Sequence, residues 1–255
     1  MTVQYASDLH LEFPKNKNFL NANPFIPTSD ILILAGDIVP FGDIEKHTNF
    51  FNFIADHFQT TYWIPGNHEY YHYDLATKCG VLHEAIRSNV FLVNNISVIT
   101  NNVRFIFSTM WSKISIAHQY EIERGMNDFR LITYMDRRFS AQDFNRLHEE
   151  SMLFIREALE PNISEPTIVV THHVPTFMNY PPMYKGDALN DAFAVELFDL
   201  IEASRPAYWI YGHHHYNQPD FKIGSTILTS NQLGYVHSQE HRLFDVKKCI
   251  VLQNN

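Results

Sequence analysis

Asp30–Asp37 reads DILILAGD, five consecutive apolar residues closed by a glycine and a carboxylate. A strand with one solvated face alternates apolar and polar residues, so this unbroken run predicts a strand covered on both faces, as in the interior of a parallel sheet. Gly36 permits a positive φ or a close approach of backbone to a bound group, and Asp37 would stand at the carboxyl end of the strand. Five further runs have a similar make: VQYASD from Val3, TYWIPGN from Thr61, RFIFSTMW from Arg104, PTIVVTHH from Pro166 and AYWIYGHHH from Ala207. Among them lie segments with helical spacing, at 43–57, 74–88, 141–160 and 190–204. The alternation predicts an α/β fold. Beyond Gly212, the shorter runs PDFKIGSTILTSNQLGY and RLFDVKKCIVLQ predict antiparallel strands that extend the architecture as a second sheet. Residues 112–140 carry the weakest pattern and are expected to pass over the site. With no internal repeat, low-complexity tract or Pro/Gly/Ser linker, residues 1–255 are expected to form a single domain.

Nearly every strand run ends in groups that can hold a metal. Asp8 and His10 follow the first, Asp37 the second, Asn67 and His68 the third, and His172 with His173 and His213 with His215 the last two. Loops beyond the carboxyl ends of parallel strands converge on one crevice, so groups distant in sequence can meet there. In DLH and HHH the outer residues lie two apart. On an extended backbone Asp8 and His10 would share a face, as would His213 and His215, with His214 pointing away. Glycine precedes Asp37, Asn67 and His213. One such element alone is ordinarily a turn; five in ordered succession, each closing a strand, point to a shared site.

The ordered set resembles the calcineurin-like metallophosphoesterase superfamily. Its pattern of D-x-H, G-D, G-N-H-[DE], H and G-H-x-H is matched by DLH, GD, GNHE, THH and GHHH, spanning Asp8 to His215. GNHEYY, MNDFRLI and THHVPT are similar to small bacterial and phage-type members. The resemblance implies a four-layer fold, a β-sandwich of two mixed sheets flanked by helices. It further implies that Asp8, His10, Asp37 and His215 hold one metal ion and Asp37, Asn67, His172 and His213 a second, with Asp37 bridging. The family's single histidine is doubled here; His172 is preferred because it follows threonine directly at the strand end, and His173 stays open as the alternative. IVPFGD lacks the D-R that follows G-D in the protein Ser/Thr phosphatases, which points away from that branch.

Mixed His, Asp and Asn donors suit Mn, Fe, Zn or Ni better than Ca or Mg, which prefer all-oxygen shells. In two-metal sites the ions, about 3.5–4 Å apart, clamp the attacking and leaving oxygens and bring the pKa of a bound water toward ~7, so a bridging hydroxide would be the nucleophile. Two divalent ions bring about +4; Asp8, Asp37 and hydroxide return about −3, leaving a pocket near +1 that attracts a phosphate ester. His68, beside Asn67 but facing elsewhere, is the candidate to protonate the leaving alkoxide or to bind the phosphoryl oxygens. Glu69–Tyr73 would line an aryl- or base-binding pocket or simply pack, Arg130 would clamp a phosphate or form a surface ion pair, and Tyr180–Lys185 would form a rim. The expected activity is metal-dependent hydrolysis of phosphate esters, as a phosphodiesterase or broad phosphoesterase. Phosphomonoesterase and nuclease activities are the alternatives on the same core. A non-catalytic protein-interaction scaffold is disfavoured because every ligand position and His68 are present.

Composition bounds the partners. With 19 Lys and Arg against 28 Asp and Glu, the net charge of −9 offers no basic groove for extended nucleic acid, and a small phosphate ester is the expected partner. The two cysteines, Cys79 and Cys249, form no paired motif, which fits a reducing compartment. The N-terminus lacks the basic start and apolar run of a secretory signal, and no stretch approaches the ~20 apolar residues of a membrane span. A cytoplasmic protein without membrane attachment is expected. None of these patterns bears on oligomeric state.

Overall fold

A computed structural model describes residues 1–160 and 164–252. The strands are β1 (Thr2–Ala6), β2 (Ile31–Ala35), β3 (Thr60–Ile64), β4 (Leu82–Arg87), β5 (Val90–Asn94), β6 (Ile96–Thr100), β7 (Val103–Ser108), β8 (Thr133–Tyr134), β9 (Arg137–Arg138), β10 (Thr167–Thr171), β11 (Tyr208–Ile210), β12 (Phe221–Ile223), β13 (Thr226–Thr229) and β14 (Cys249–Val251). The helices are α1 (Pro14–Ala22), α2 (Thr48–His57), α3 (Gln119–Gly125), α4 (Asp128–Leu131), α5 (Ala141–Leu159), α6 (Asn190–Phe193) and α7 (Phe198–Ser204). One sheet has the order β14-β1-β2-β3-β5-β4, the other β12-β13-β11-β10-β7-β6, and β8 and β9 form a separate hairpin. Both large sheets are mixed: β1, β2, β3 and β5 run parallel, as do β7, β10, β11 and β13, while antiparallel strands close the edges.

The unbroken apolar run of β2 has a direct cause in this layering. Ile31, Ile33 and Ala35 face the space between the sheets, in one cluster with Phe105, Phe107, Ile168 and Val170. Leu32 and Leu34 belong to the outer cluster that includes Phe51 and Ile54 of α2. The second sheet repeats the pattern: Ile106, Val169 and Trp209 turn outward to a cluster with Ile155 of α5 and Ile201 of α7. Burying one such side chain contributes about 1.5–3 kcal/mol, so a polar residue at either phase of β2 would be costly.

Several sequence expectations are corrected. Residues 74–88 do not form a helix: the Asp74 side chain caps a short 3-10 turn over Leu75–Thr77, Gly80 takes a positive φ of 71°, and β4 pairs antiparallel with β5. Pairing at the sheet edge outweighs helical spacing there. The helix expected over 190–204 breaks into α6 and α7, because Ala194 leaves it to bridge Val174. The C-terminal runs serve both sheets: β13 joins the second parallel to β11, whereas β14 crosses to the first and pairs antiparallel with β1. α1, with Pro14 in its first turn where a missing N–H costs nothing, has no counterpart among the expected helices. No described helix is long and apolar enough to cross a membrane.

Candidate metal centre

The parallel strands β1, β2, β3, β10 and β11 end on one side of the sandwich, and the chemically capable residues follow them there. Asp8, His10, Asp37, Asn67, His68, His172 and His213 are buried, and His215 is nearly so. The backbone N–H groups of Asp8 and His10 donate to the carbonyls of Gly36 (2.9 Å) and Asp37 (3.0 Å), which locks the first two loops together. Glu69 ties in the third: its carboxylate accepts from the backbone of Asp37 (2.9 Å), Ile38 (2.7 Å) and Gly66 (2.7 Å), and from the Trp63 indole (3.0 Å). Across the seam, the backbone N–H of His213 donates to Asp8 Oδ1 at 3.0 Å.

Convergence of the outer residues in DLH and HHH does not come from an extended backbone, as the two-residue repeat had suggested. Asp8 (φ 54°), His10 (47°), His213 (81°) and His215 (52°) all lie in the left-handed region, as does Asp37 (56°). Such strain persists where surrounding structure over-determines it, and it gathers at functional sites. His214 turns to Gln232, whose amide donates to its Nδ1 at 3.0 Å. Close approach explains two of the glycines. A Cβ on Gly66 would sit 2.2 Å from Asp37 Oδ1, and one on Gly212 would sit 2.6 Å from Asp8 Oδ2.

Four imidazoles meet in two pairs. His10 donates from Nδ1 to Glu12 (3.2 Å) and His215 donates from Nδ1 to Glu240 (2.8 Å), so their Nε2 lone pairs face each other at 2.9 Å. His172 donates from Nδ1 to the Ala35 carbonyl (2.9 Å) and His213 from Nε2 to that of Ala192 (3.3 Å); His172 Nε2 and His213 Nδ1 face each other at 3.1 Å. Lone pairs so directed repel unless a cation or a proton lies between them. Asp37 serves both pairs, with Oδ1 at 3.4 Å from His172 and Oδ2 at 3.8 Å from His10, and Asp8 Oδ1 lies 3.3 Å from His215. Burial works against charging any of these rings. The Asp8 and Glu240 carboxylates nevertheless raise His215 to about 10, and Asp37 raises His172 to about 9. Burial pushes His10 and His213 down, helped by neighbouring imidazoles. In each pair one ring is thus biased toward the charged form and the other toward the neutral one, and the donor set of imidazole nitrogens with carboxylate oxygens fits a transition-metal cation between them.

Asn67 presents Oδ1 to His172 Nε2 at 3.3 Å while its amide nitrogen donates to Asp128 at 2.8 Å. His173 turns away from Asp37: its Nδ1 meets Ser112, by the backbone N–H at 3.3 Å and the hydroxyl at 3.1 Å, and its ring lies beside Trp111 and Phe144. His68 belongs to neither imidazole pair but sits beside the first, its ring edge-on to His10 at 4.4 Å, with Nδ1 3.0 Å from the Glu12 oxygen that His10 also meets and Nε2 3.4 Å from the Tyr235 hydroxyl. Arg130 is exposed and donates to the backbone carbonyl of Arg124. Glu69–Tyr73 divides: Tyr70 is core, whereas Tyr71 lines the cavity in front of the cluster. Residues 125–128 of the expected excursion line that cavity too, as do Tyr180 and Tyr184 of the expected rim.

Glu12, Glu240, Asp128 and Tyr235 went unassigned at the level of sequence. Glu12 stood two residues beyond His10, continuing the spacing of DLH, and Asp128 lay within MNDFRLI without a role of its own; Glu240 and Tyr235 carried no signal.

Residues 1–217 match the family described as calcineurin-like phosphoesterase. An uncharacterized protein, L509, of Acanthamoeba polyphaga mimivirus is 32% identical over 269 residues, covering 94% of this chain and 93% of its own. The crystal structure of phosphopantetheinyl hydrolase (PptH) from Mycobacterium tuberculosis superposes with a TM-score of 0.72 at 17% identity, covering 94% of this chain and 92% of that one. At that identity the likeness is one of fold.

Proposed function

Because the chain belongs to the calcineurin-like phosphoesterase family, we propose that it hydrolyses phosphate esters at a two-metal centre, as a phosphodiesterase or broad phosphoesterase. The observation that carries this reading is the pair of facing imidazole couples that share Asp37. In this proposal Asp8, His10, Asp37 and His215 hold one cation, and Asp37, Asn67, His172 and His213 the other, His213 through Nδ1. Bound there, the cations would supply Lewis-acid polarisation of the phosphoryl group and a water acidified toward neutral pH.

The residues of the chain do the rest. Glu12 and Glu240 accept the far N–H of His10 and His215, fixing the tautomers that present Nε2 to the site. Asp128 accepts from the Asn67 amide and so keeps Oδ1 turned inward. His68 is raised above its ordinary value: burial opposes the charge, but Asp37 and Glu12 favour it, and in this proposal its ring donates the proton to a departing alkoxide.

Metal content and turnover test the proposal together. The expected result is about two ions per chain, with hydrolysis of bis(p-nitrophenyl) phosphate that is lost on chelation and restored by added Mn, Fe, Zn or Ni. His213→Ala and His215→Ala should each lose metal while His214→Ala retains it. Equal loss on replacing His214 would refute the ligand assignment. Full metal loading without turnover of any phosphate ester would favour a scaffold role instead.

A further inference from the structure

The cavity in front of the imidazole pairs has a volume of about 340 Å³, and no lysine or arginine is among the described residues that line it. Its inner walls are aromatic. The Tyr71 ring lies 4.0 Å from that of His68, Phe193 stacks 4.5 Å from His213, and Tyr235 stands edge-on to His215 at 4.5 Å. Tyr180 and Tyr184 continue the aromatic lining.

Outside the proposed ligand set, the acidic groups of the lining are Asp128, Asp187 and Glu240, and among the described residues the one group there that gains a positive charge is His68, the proposed donor to the leaving oxygen. Glu240 is held by His215 and the backbone N–H of Tyr235. Asp128 is fully buried; its Oδ1 accepts from Asn67 and Tyr71 at 2.8 Å each, and its Oδ2 has no partner among the described residues. The Asp187 carboxylate accepts from the backbone N–H of Leu189 at 2.9 Å and the residue is exposed.

A singly charged phosphodiester needs no cation beyond those at the metal centre. A dianionic monoester, or a second anionic group on the substrate, would bring charge that this wall meets with carboxylates and aromatic faces, where like charges repel. Aromatic faces in turn favour a flat apolar group. Resting on the reading of this site as a phosphoesterase, we infer that it selects phosphodiesters whose second arm is aromatic or apolar, and rejects phosphomonoesters and arms carrying a further anionic group. In the reaction, water supplies the hydroxide that bonds to phosphorus and the P–O bond to the leaving arm breaks. The leaving oxygen takes the remaining proton, and the product is the monoester of the retained arm. The new P–OH group then loses its proton to solvent, and the same wall favours release of the dianionic monoester so formed.

The test uses the metal-loaded full chain and three esters with a common p-nitrophenolate leaving group: p-nitrophenyl phenyl phosphate, p-nitrophenyl 4-carboxyphenyl phosphate and p-nitrophenyl phosphate. The expected kcat/KM of the phenyl diester exceeds that of each of the other two by about tenfold or more. In Asp187→Lys, the ratio of carboxyphenyl to phenyl rates should rise about fivefold, a relative readout that general loss of activity would not move. Equal or faster turnover of the monoester or the carboxyphenyl diester would overturn the inference while leaving the phosphoesterase reading standing. An unchanged ratio in Asp187→Lys would overturn the assignment of selectivity to this wall. If the metal-loaded protein turns over none of the three, the phosphoesterase reading itself falls, and the inference with it.

Discussion

His68 shows how one residue can share a motif with a ligand and face different chemistry. Its backbone N–H donates to Asp37 Oδ1 at 2.9 Å, while its ring lies between Glu12 and Tyr235, against the Tyr71 face. As a proton donor it matters most where the leaving group is a poor one. His68→Ala is expected to keep both ions and to slow esters of alkyl alcohols by about 10²–10⁴-fold, with a much smaller effect on p-nitrophenyl esters. Metal content and rates over a leaving-group series check this; a uniform loss across the series would make His68 a phosphoryl-binding group instead. The position of His68 and of the seven proposed ligands was legible because motif spacing tied each to a strand end. Glu240 and Asp128 were not, since they act through His215 and Asn67 from segments 25 and 61 residues away in sequence.

At the scale of elements, burial on both faces made β1, β2, β3, β7, β10 and β11 readable as apolar runs. The half-exposed edge was not: β4 buries Leu82 but leaves His83 and Ala85 exposed and Glu84 and Ile86 only half-buried, too weak an alternation to outweigh an apparent helical period. α5 was legible over nearly its whole length, and its start has a definite chemical cause. Ser140 and Asp143 form a capping box, and Arg137 grips the Asp143 carboxylate through two bonds of 2.7 Å. Burial would raise Asp143, but Arg137 and Ser140 outweigh it and hold the carboxyl below its ordinary value. A depressed carboxylate stabilises the fold above its unfolded pKa, near ~3.9, and that contribution is lost as pH falls through the lower folded value. Asp143→Asn should therefore cost about 1 kcal/mol at pH 7, the typical worth of a helix cap. The deficit should narrow progressively below about pH 4, and urea unfolding of both proteins across this range measures it. A deficit that stays constant into acid would show that the amide's packing, and not the charge, sets the difference.

At the scale of the whole molecule, the two sheets meet at the proposed metal centre. Asp8, His10, Asp37 and Asn67 extend from strands of one sheet, and His172, His213 and His215 from strands of the other. Between the sheets lies the apolar cluster around Ile33, Phe105 and Ile168; at its end lie the facing imidazoles, which repel when neither proton nor cation separates them. Cations bound there would act as staples across the seam, so metal affinity becomes folding stability. A ligand present at a hundredfold its Kd and bound only to the folded state contributes about 2.7 kcal/mol. With about 2–4 °C per kcal/mol for a chain near this size, loading both sites should raise Tm by roughly 10–20 °C over the chelated protein. His172→Ala, which removes a ligand of one proposed site and leaves Asp8, His10, Asp37 and His215 in place, should keep about half of that rise; His214→Ala should keep all of it. Scanning calorimetry of the three proteins, loaded and chelated, makes the comparison. A Tm in the unmodified chain that chelation leaves unchanged, with the metal shown to have been removed, would mean that the sandwich closes without the staple and that the cluster's cations, if bound, hold nothing together.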